Sequence, residues 1–97
     1  MSAYVIANVQ ITDSTRYAEY VKLTPPSVVP FGGRFIARGG RAENLEGATE
    51  ANRVVILEFD SYERAKDWYE SEGYRVAKAL RQSASVSSLI LVDGVKS

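Results

Sequence analysis

Arg53-Val54-Val55-Ile56-Leu57-Glu58-Phe59 runs straight into Asp60-Ser61. The first part is rich in β-branched side chains, lacks Gly and Pro, and makes the clearest strand in the chain. Side chains alternate along a strand, so Val55, Leu57 and Phe59 share one face and Val54, Ile56 and Glu58 the other. Asp60 and Ser61 then offer short side-chain oxygens that accept the first free amides of a helix. That helix carries Ala65, Trp68 and Tyr69 on one side.

Working back towards the N-terminus, Tyr4 to Thr12 reads YVIANVQIT. Val5, Ala7, Val9 and Ile11 form a uniformly apolar face, and Tyr4, Ile6, Asn8 and Gln10 a mixed one. Asp13 and Ser14 can cap a helix in which Tyr17, Tyr20, Val21, Thr24 and Val28 recur at helical spacing. Pro25-Pro26 withhold two amide donors, which predicts a kinked or two-piece helix ending before Gly32-Gly33. Phe35-Ile36-Ala37-Arg38 reads as a short second strand between glycine pairs, and Ala42 to Asn52 as a polar loop. Beyond Trp68, Ser71-Glu72-Gly73 interrupts the helix, and Tyr74, Ala77, Leu80 and Arg81 mark a further helical segment. Ser85 to Asp93 alternates into Leu89-Ile90-Leu91-Val92 and closes at Gly94, a fourth strand. The order is strand, helix, strand, strand, helix, strand. It predicts an α+β, ferredoxin-like βαββαβ fold: a four-stranded antiparallel sheet, spatial order 4-1-3-2, with its helices on one face. At 97 residues the chain is expected to form one domain, residues 1–97.

Composition excludes much familiar chemistry. Cys 0 removes disulfides and thiol nucleophiles, and His 0 removes the most common general base and metal ligand. Twelve basic residues balance twelve acidic ones, so no global field favours nucleic acid or an anionic membrane. The third strand also lacks the glycine-aromatic signature of RNA-binding sheets. The longest apolar runs are four residues, against about 20 for a membrane span. No signal peptide is evident, and a cytoplasmic protein is expected.

Helices on one face leave the other face of the sheet bare. By strand parity that open face carries Ile6, Asn8, Ile36, Arg38, Val54, Ile56 and Glu58. So many aliphatic groups predict a twofold homodimer that presses two open sheet faces together. A monomer whose fourth strand or C-terminus covers the face is the alternative. Asn8, Glu58 and Arg38 are expected in one row across that face. There Arg38 would hold a substrate anion, and Glu58 would accept a proton at a pKa raised by burial. An Arg38–Glu58 ion pair that only fixes dimer register is the competing interpretation. Trp68 and Tyr74 are core aromatics that can also line a ligand cavity. Arg81, late in its helix, suits either the helix dipole or a bound anion. Glycines in Arg38-Gly39-Gly40-Arg41 fit a turn better than a phosphate cradle. Glu63, Asp67, Glu70 and Glu72 alternate with cations as a solvated face, and no metal site is expected.

These segments resemble the mostly bacterial domain of unknown function 1330 family, within the dimeric α/β barrel superfamily. The resemblance rests on Tyr17-Ala18-Glu19-Tyr20, Gly32-Gly33-Arg34-Phe35-Ile36-Ala37-Arg38-Gly39-Gly40, Glu46-Gly47 and the Arg53 to Ser61 stretch. Trp68-Tyr69-Glu70-Ser71, Tyr74-Arg75 and Leu80-Arg81 complete it. Asp60 stands where the family usually has proline, and Gly73 where it commonly has an acidic residue. The resemblance implies a ferredoxin-like fold and a sheet-to-sheet dimer, and no particular reaction. The superfamily includes cofactor-free monooxygenases, dehydratases and isomerases, and haem-degrading members that need a histidine this chain lacks. The expectation is an uncharacterised protein in which the polar row, not the resemblance, suggests a cofactor-free enzyme acting on a small anionic or carbonyl substrate in a cavity at the sheet face. The alternative is a dimer that only binds a small molecule or plays a structural part.

Overall fold

The computed structural model describes residues 2–48, 50 and 52–96. Strand β1 (Ala3–Ile11) leads into helix α1 (Ser14–Val28) and a 3-10 turn (Val29–Phe31). Strands β2 (Arg34–Arg38) and β3 (Arg53–Phe59) follow, then helices α2 (Tyr62–Tyr69) and α3 (Glu72–Ala84), and strand β4 (Ser85–Asp93). The sheet order is β2-β3-β1-β4 with every pairing antiparallel. This is the ferredoxin-like arrangement the sequence predicts. The loop expected over Ala42 to Asn52 is irregular chain and bends where it is described; Thr49 and Ala51 lie outside the described residues.

Local chemistry sets the helix ends. Asp13, Ser61 and Ser71 each accept a backbone amide as N-cap of α1, α2 and α3. Ser71 thus restarts the chain after the break at Glu70, close to the predicted interruption. Helix α1 differs from expectation, because it runs through Pro25-Pro26 as one element. Pro25 supplies no amide to Val21, four residues back. Arg38 fills that place, its Nη2 donating to the Val21 carbonyl at 2.9 Å. Thr24 adds a side-chain bond to the Tyr20 carbonyl at 2.7 Å. Gly32, with φ of 74°, then ends the 3-10 turn.

The core lies between sheet and helices. Val5, Leu57 and Phe59 pack against Val28, Ala65, Trp68, Tyr74 and Ala77, while Ala7 and Val9 meet Tyr17 and Ala84. Trp68 stacks 4.2 Å from Tyr74 and 5.5 Å from Phe59 between ring centroids, and its indole N–H donates to Ser27 Oγ. The opposite face of the sheet is bare. Across it Ala37, Ile56, Ile6 and Ile90 stand in register as one row.

Candidate functional site

The polar row expected on the bare face does not form. A bulge in β2 between Phe35 and Ala37 leaves Ile36 out of the ladder. One extra residue reverses the parity of the rest of the strand. Ala37 therefore opposes Ile56 on the open face, and Arg38 opposes Val55 on the helix face. Asn8 is opposite Val54, four positions along β3 from Glu58, which is opposite Tyr4. That separation is roughly 13 Å at strand rise. Asn8 instead fastens the β2–β3 loop, donating to the Glu50 carbonyl at 2.8 Å and accepting the Asn52 amide at 3.1 Å.

Glu58 does meet an arginine, but it is Arg34, 2.8 Å away. The expectation of a raised pKa is corrected as well. The Ser2 hydroxyl, the Arg34 charge and the Tyr4 hydroxyl together hold the Glu58 carboxyl below its ordinary value of 4.5, against a smaller burial effect. A carboxylate held in its ionised form is a poor proton acceptor.

On the helix side the observations converge on Arg81. This residue is 4% exposed, yet among the described residues no carboxylate lies within ion-pairing distance. Its Nε donates to the Tyr74 hydroxyl at 3.4 Å and its Nη1 to Ser87 Oγ. The Tyr74 hydroxyl in turn bonds the Tyr20 hydroxyl at 2.8 Å. Burial works against the Arg81 charge, but the neighbouring phenol oxygens outweigh it and the pKa is raised. Burial and then Tyr74 push the Tyr20 phenol up too, so it stays neutral.

Arg81 borders two spaces. The outer one is an open cleft of about 790 Å³ between β4 and the helices, walled by Val5, Leu89, Leu91 and Tyr69, with Lys66 and Glu70 also on its lining. The inner one, about 30 Å³, lies between the sheet and α1. Of the residues singled out from sequence, Arg81 lines both spaces, and Arg38 and Trp68 line the inner one. Tyr74 is fully buried and positions Arg81 instead. Asn8 and Glu58 touch neither space. Arg53 also lines the inner cavity, as do Tyr17 and Tyr20, helix aromatics that the sequence places at core spacing with Trp68, Tyr69 and Tyr74. A signal for Arg53 does exist, because this charged residue shares the apolar parity of Val55, Leu57 and Phe59. Among the described residues no cluster of three or more His, Cys, Asp or Glu is gathered to hold a metal.

A four-stranded antiparallel sheet with its helices on one face makes this an α+β protein of the ferredoxin-like class. Residues 2–95 match the family described as "Domain of unknown function (DUF1330)", and the chain belongs to that family. No curated protein matches it. Among solved structures it is similar to RPA0582, a protein of unknown function from Rhodopseudomonas palustris. They share 23% identity over 99% of this chain and 84% of that one, with a TM-score of 0.78. It is also similar to SnoaB, a cofactor-independent oxygenase from Streptomyces nogalater, at 10% identity over 99% and 95% of the two chains (TM-score 0.69). Rv0793 from Mycobacterium tuberculosis gives 13% identity over 100% and 98% (TM-score 0.56). These likenesses establish the fold. No helix among the described residues is long and apolar enough to cross a membrane.

Proposed function

We propose that the protein is a homodimer that binds a small organic acid, its carboxylate on Arg81 and its apolar body in the outer cleft. The observation that carries this reading is a buried guanidinium with no carboxylate partner among the described residues. A charge withdrawn from water costs several kcal/mol unless it is paired, and Tyr74 and Ser87 supply dipoles only. A carboxylate completes the site with bidentate, charge-assisted bonds. The cleft volume of about 790 Å³ falls within the range of small-molecule sites, and its Val5, Leu89 and Leu91 wall suits an apolar body.

Dimerisation is supported by the bare sheet, where Ile90 is 60% exposed and Val92 43%. The interface then lies on the face away from the helices, and Ile90 on the edge strand β4 borders both it and the cleft. A panel of aliphatic and aromatic monocarboxylic acids, each with its neutral amide, tests the binding. Acids are expected to bind and raise Tm. Arg81→Met weakens that binding roughly 10- to 100-fold, the worth of a hydrogen bond to a charged group. Equal affinity for acids and amides, or an undiminished Arg81→Met, ends the reading.

A cofactor-free enzyme acting on the same ligand is the second reading, favoured by the Tyr20–Tyr74 hydroxyl pair next to Arg81. SnoaB, with a similar fold, is a cofactor-independent oxygenase. Neither phenol lines the outer cleft, so the pair would act on the bound acid through the placement of Arg81. On this reading Tyr20→Phe lowers turnover of a bound acid while leaving its Kd nearly unchanged; unchanged turnover excludes the role.

A further inference from the structure

The inner cavity has a chemistry of its own. Arg38, Arg53 and Arg81 all line it, with the phenols of Tyr17 and Tyr20, and among the described residues no carboxylate lines it. Its volume of about 30 Å³ is small. A water needs roughly 10–15 Å³ of such space, so the cavity holds two waters or one compact ion. Arg38 opposes Val55, two residues from Arg53, which makes the two arginines diagonal neighbours on the helix face of the sheet.

Their donors are unevenly used. Arg38 lies over the Phe35 ring at 4.3 Å and spends one nitrogen on the Val21 carbonyl. Arg53 is less satisfied: its Nε is buried without any hydrogen-bond partner, the only such side-chain atom among the described residues. The backbone is shaped around this guanidinium. Gly39 has φ of 70°, and a Cβ there would lie 2.6 Å from the Arg53 Cζ. An orphaned buried N–H costs about 1–3 kcal/mol, and native structures carry few of them without a reason. Positive groups crowded round one small space repel each other unless something negative lies between them.

We infer that the inner cavity is a binding site for a compact monovalent anion, the size of chloride, nitrate or bicarbonate, held by Arg53 Nε and Arg38 against Tyr17. This site is distinct from the organic-acid cleft, and its occupant needs no apolar part. Arg53 supplies the free donor, Arg38 adds charge and its remaining N–H groups, and the Tyr17 hydroxyl can donate to the same ion. Sulfate, larger and divalent, is expected to be excluded.

The test measures Tm while sodium chloride, nitrate or bicarbonate replaces sodium methanesulfonate, which carries no carboxylate and is too large for the cavity, at constant ionic strength. Binding gives a saturable rise of roughly 5–10 °C at ten times Kd. Arg53→Gln removes the rise yet retains organic-acid binding at Arg81, so the two sites succeed or fail separately. Identical melting in all these salts, or a wild-type response in Arg53→Gln, overturns the inference. If that variant does not fold, a bromide soak of wild-type crystals decides instead. An anomalous peak within hydrogen-bonding reach of Arg53 Nε supports the site, and a cavity without one rejects it.

Discussion

At Glu58 the direction of the pKa shift sets a pH dependence. Folding lowers this carboxyl below its ordinary value of 4.5, chiefly through the Ser2 hydroxyl and then Arg34. Above that value both folded and unfolded chains carry the ionised form, and the stabilisation is fully present. As pH falls from there through the folded value it is lost, because the unfolded chain takes up the proton first. Urea unfolding from about pH 6 to about pH 3 is expected to show a shallower acid loss in Glu58→Gln than in wild type. Parallel curves would show that the carboxylate adds no stability of this kind. Gly39 makes a second prediction at the same scale. Gly39→Ala meets both a left-handed φ and the Arg53 guanidinium, so it is expected to lose about 1–3 kcal/mol in chemical denaturation. The sequence shows Glu58 on the open face correctly, because parity along β3 is unbroken from Arg53 to Phe59. It does not show that Glu58 meets Arg34 rather than Arg38. That pairing depends on the β2–β3 register, which sets Arg34 opposite Glu58 ahead of the bulge, and nothing in the sequence of β2 signals that register.

Among the elements, α1 and β2 explain each other. Two adjacent prolines suggest a break because each removes an amide donor. The helix continues because a side chain from a different element supplies one of them: Arg38 reaches the Val21 carbonyl that Pro25 leaves free. No pattern local to α1 reveals this, since the donor is seventeen residues away and faces α1 only through the bulge. Elements bounded by caps and alternation are legible in the sequence, and those settled by a contact across the core are not. A double-mutant cycle tests the link. Arg38→Ala alone leaves the Val21 carbonyl short of a donor and is expected to cost about 1–2 kcal/mol. In a Pro25→Ala background the restored amide takes over that bond, and the same substitution costs less by about 1 kcal/mol. Additive effects in urea unfolding would mean that Arg38 does not stand in for the missing amide.

For the whole molecule, the two faces of the sheet differ in what they carry. The helix face holds the inner cavity and most of the outer cleft beside Arg81. The open face carries the aliphatic row of Ala37, Ile56, Ile6 and Ile90, and Ile90 at the β4 edge borders the cleft as well. Sequence parity anticipates the bare face, but it assigns Asn8, Arg38 and Glu58 to that face as ligand groups and leaves only Arg81, Trp68 and Tyr74 among the helices. A site buried in the interface would need the dimer in order to bind. A site between sheet and helices does not. Ile6→Lys separates these cases, because Ile6 is central to the apolar row and lines neither space. Twofold symmetry puts two lysines into the proposed interface, each losing water without a partner, at several kcal/mol. In the separated protomer the same ammonium reaches solvent over the open face, so the fold survives. Light scattering is expected to report a dimer for wild type and a monomer for Ile6→Lys. The monomer should bind an organic acid within about twofold of the wild-type Kd, as distant sites act almost additively. Loss of acid binding together with the dimer would move the functional site back to the interface.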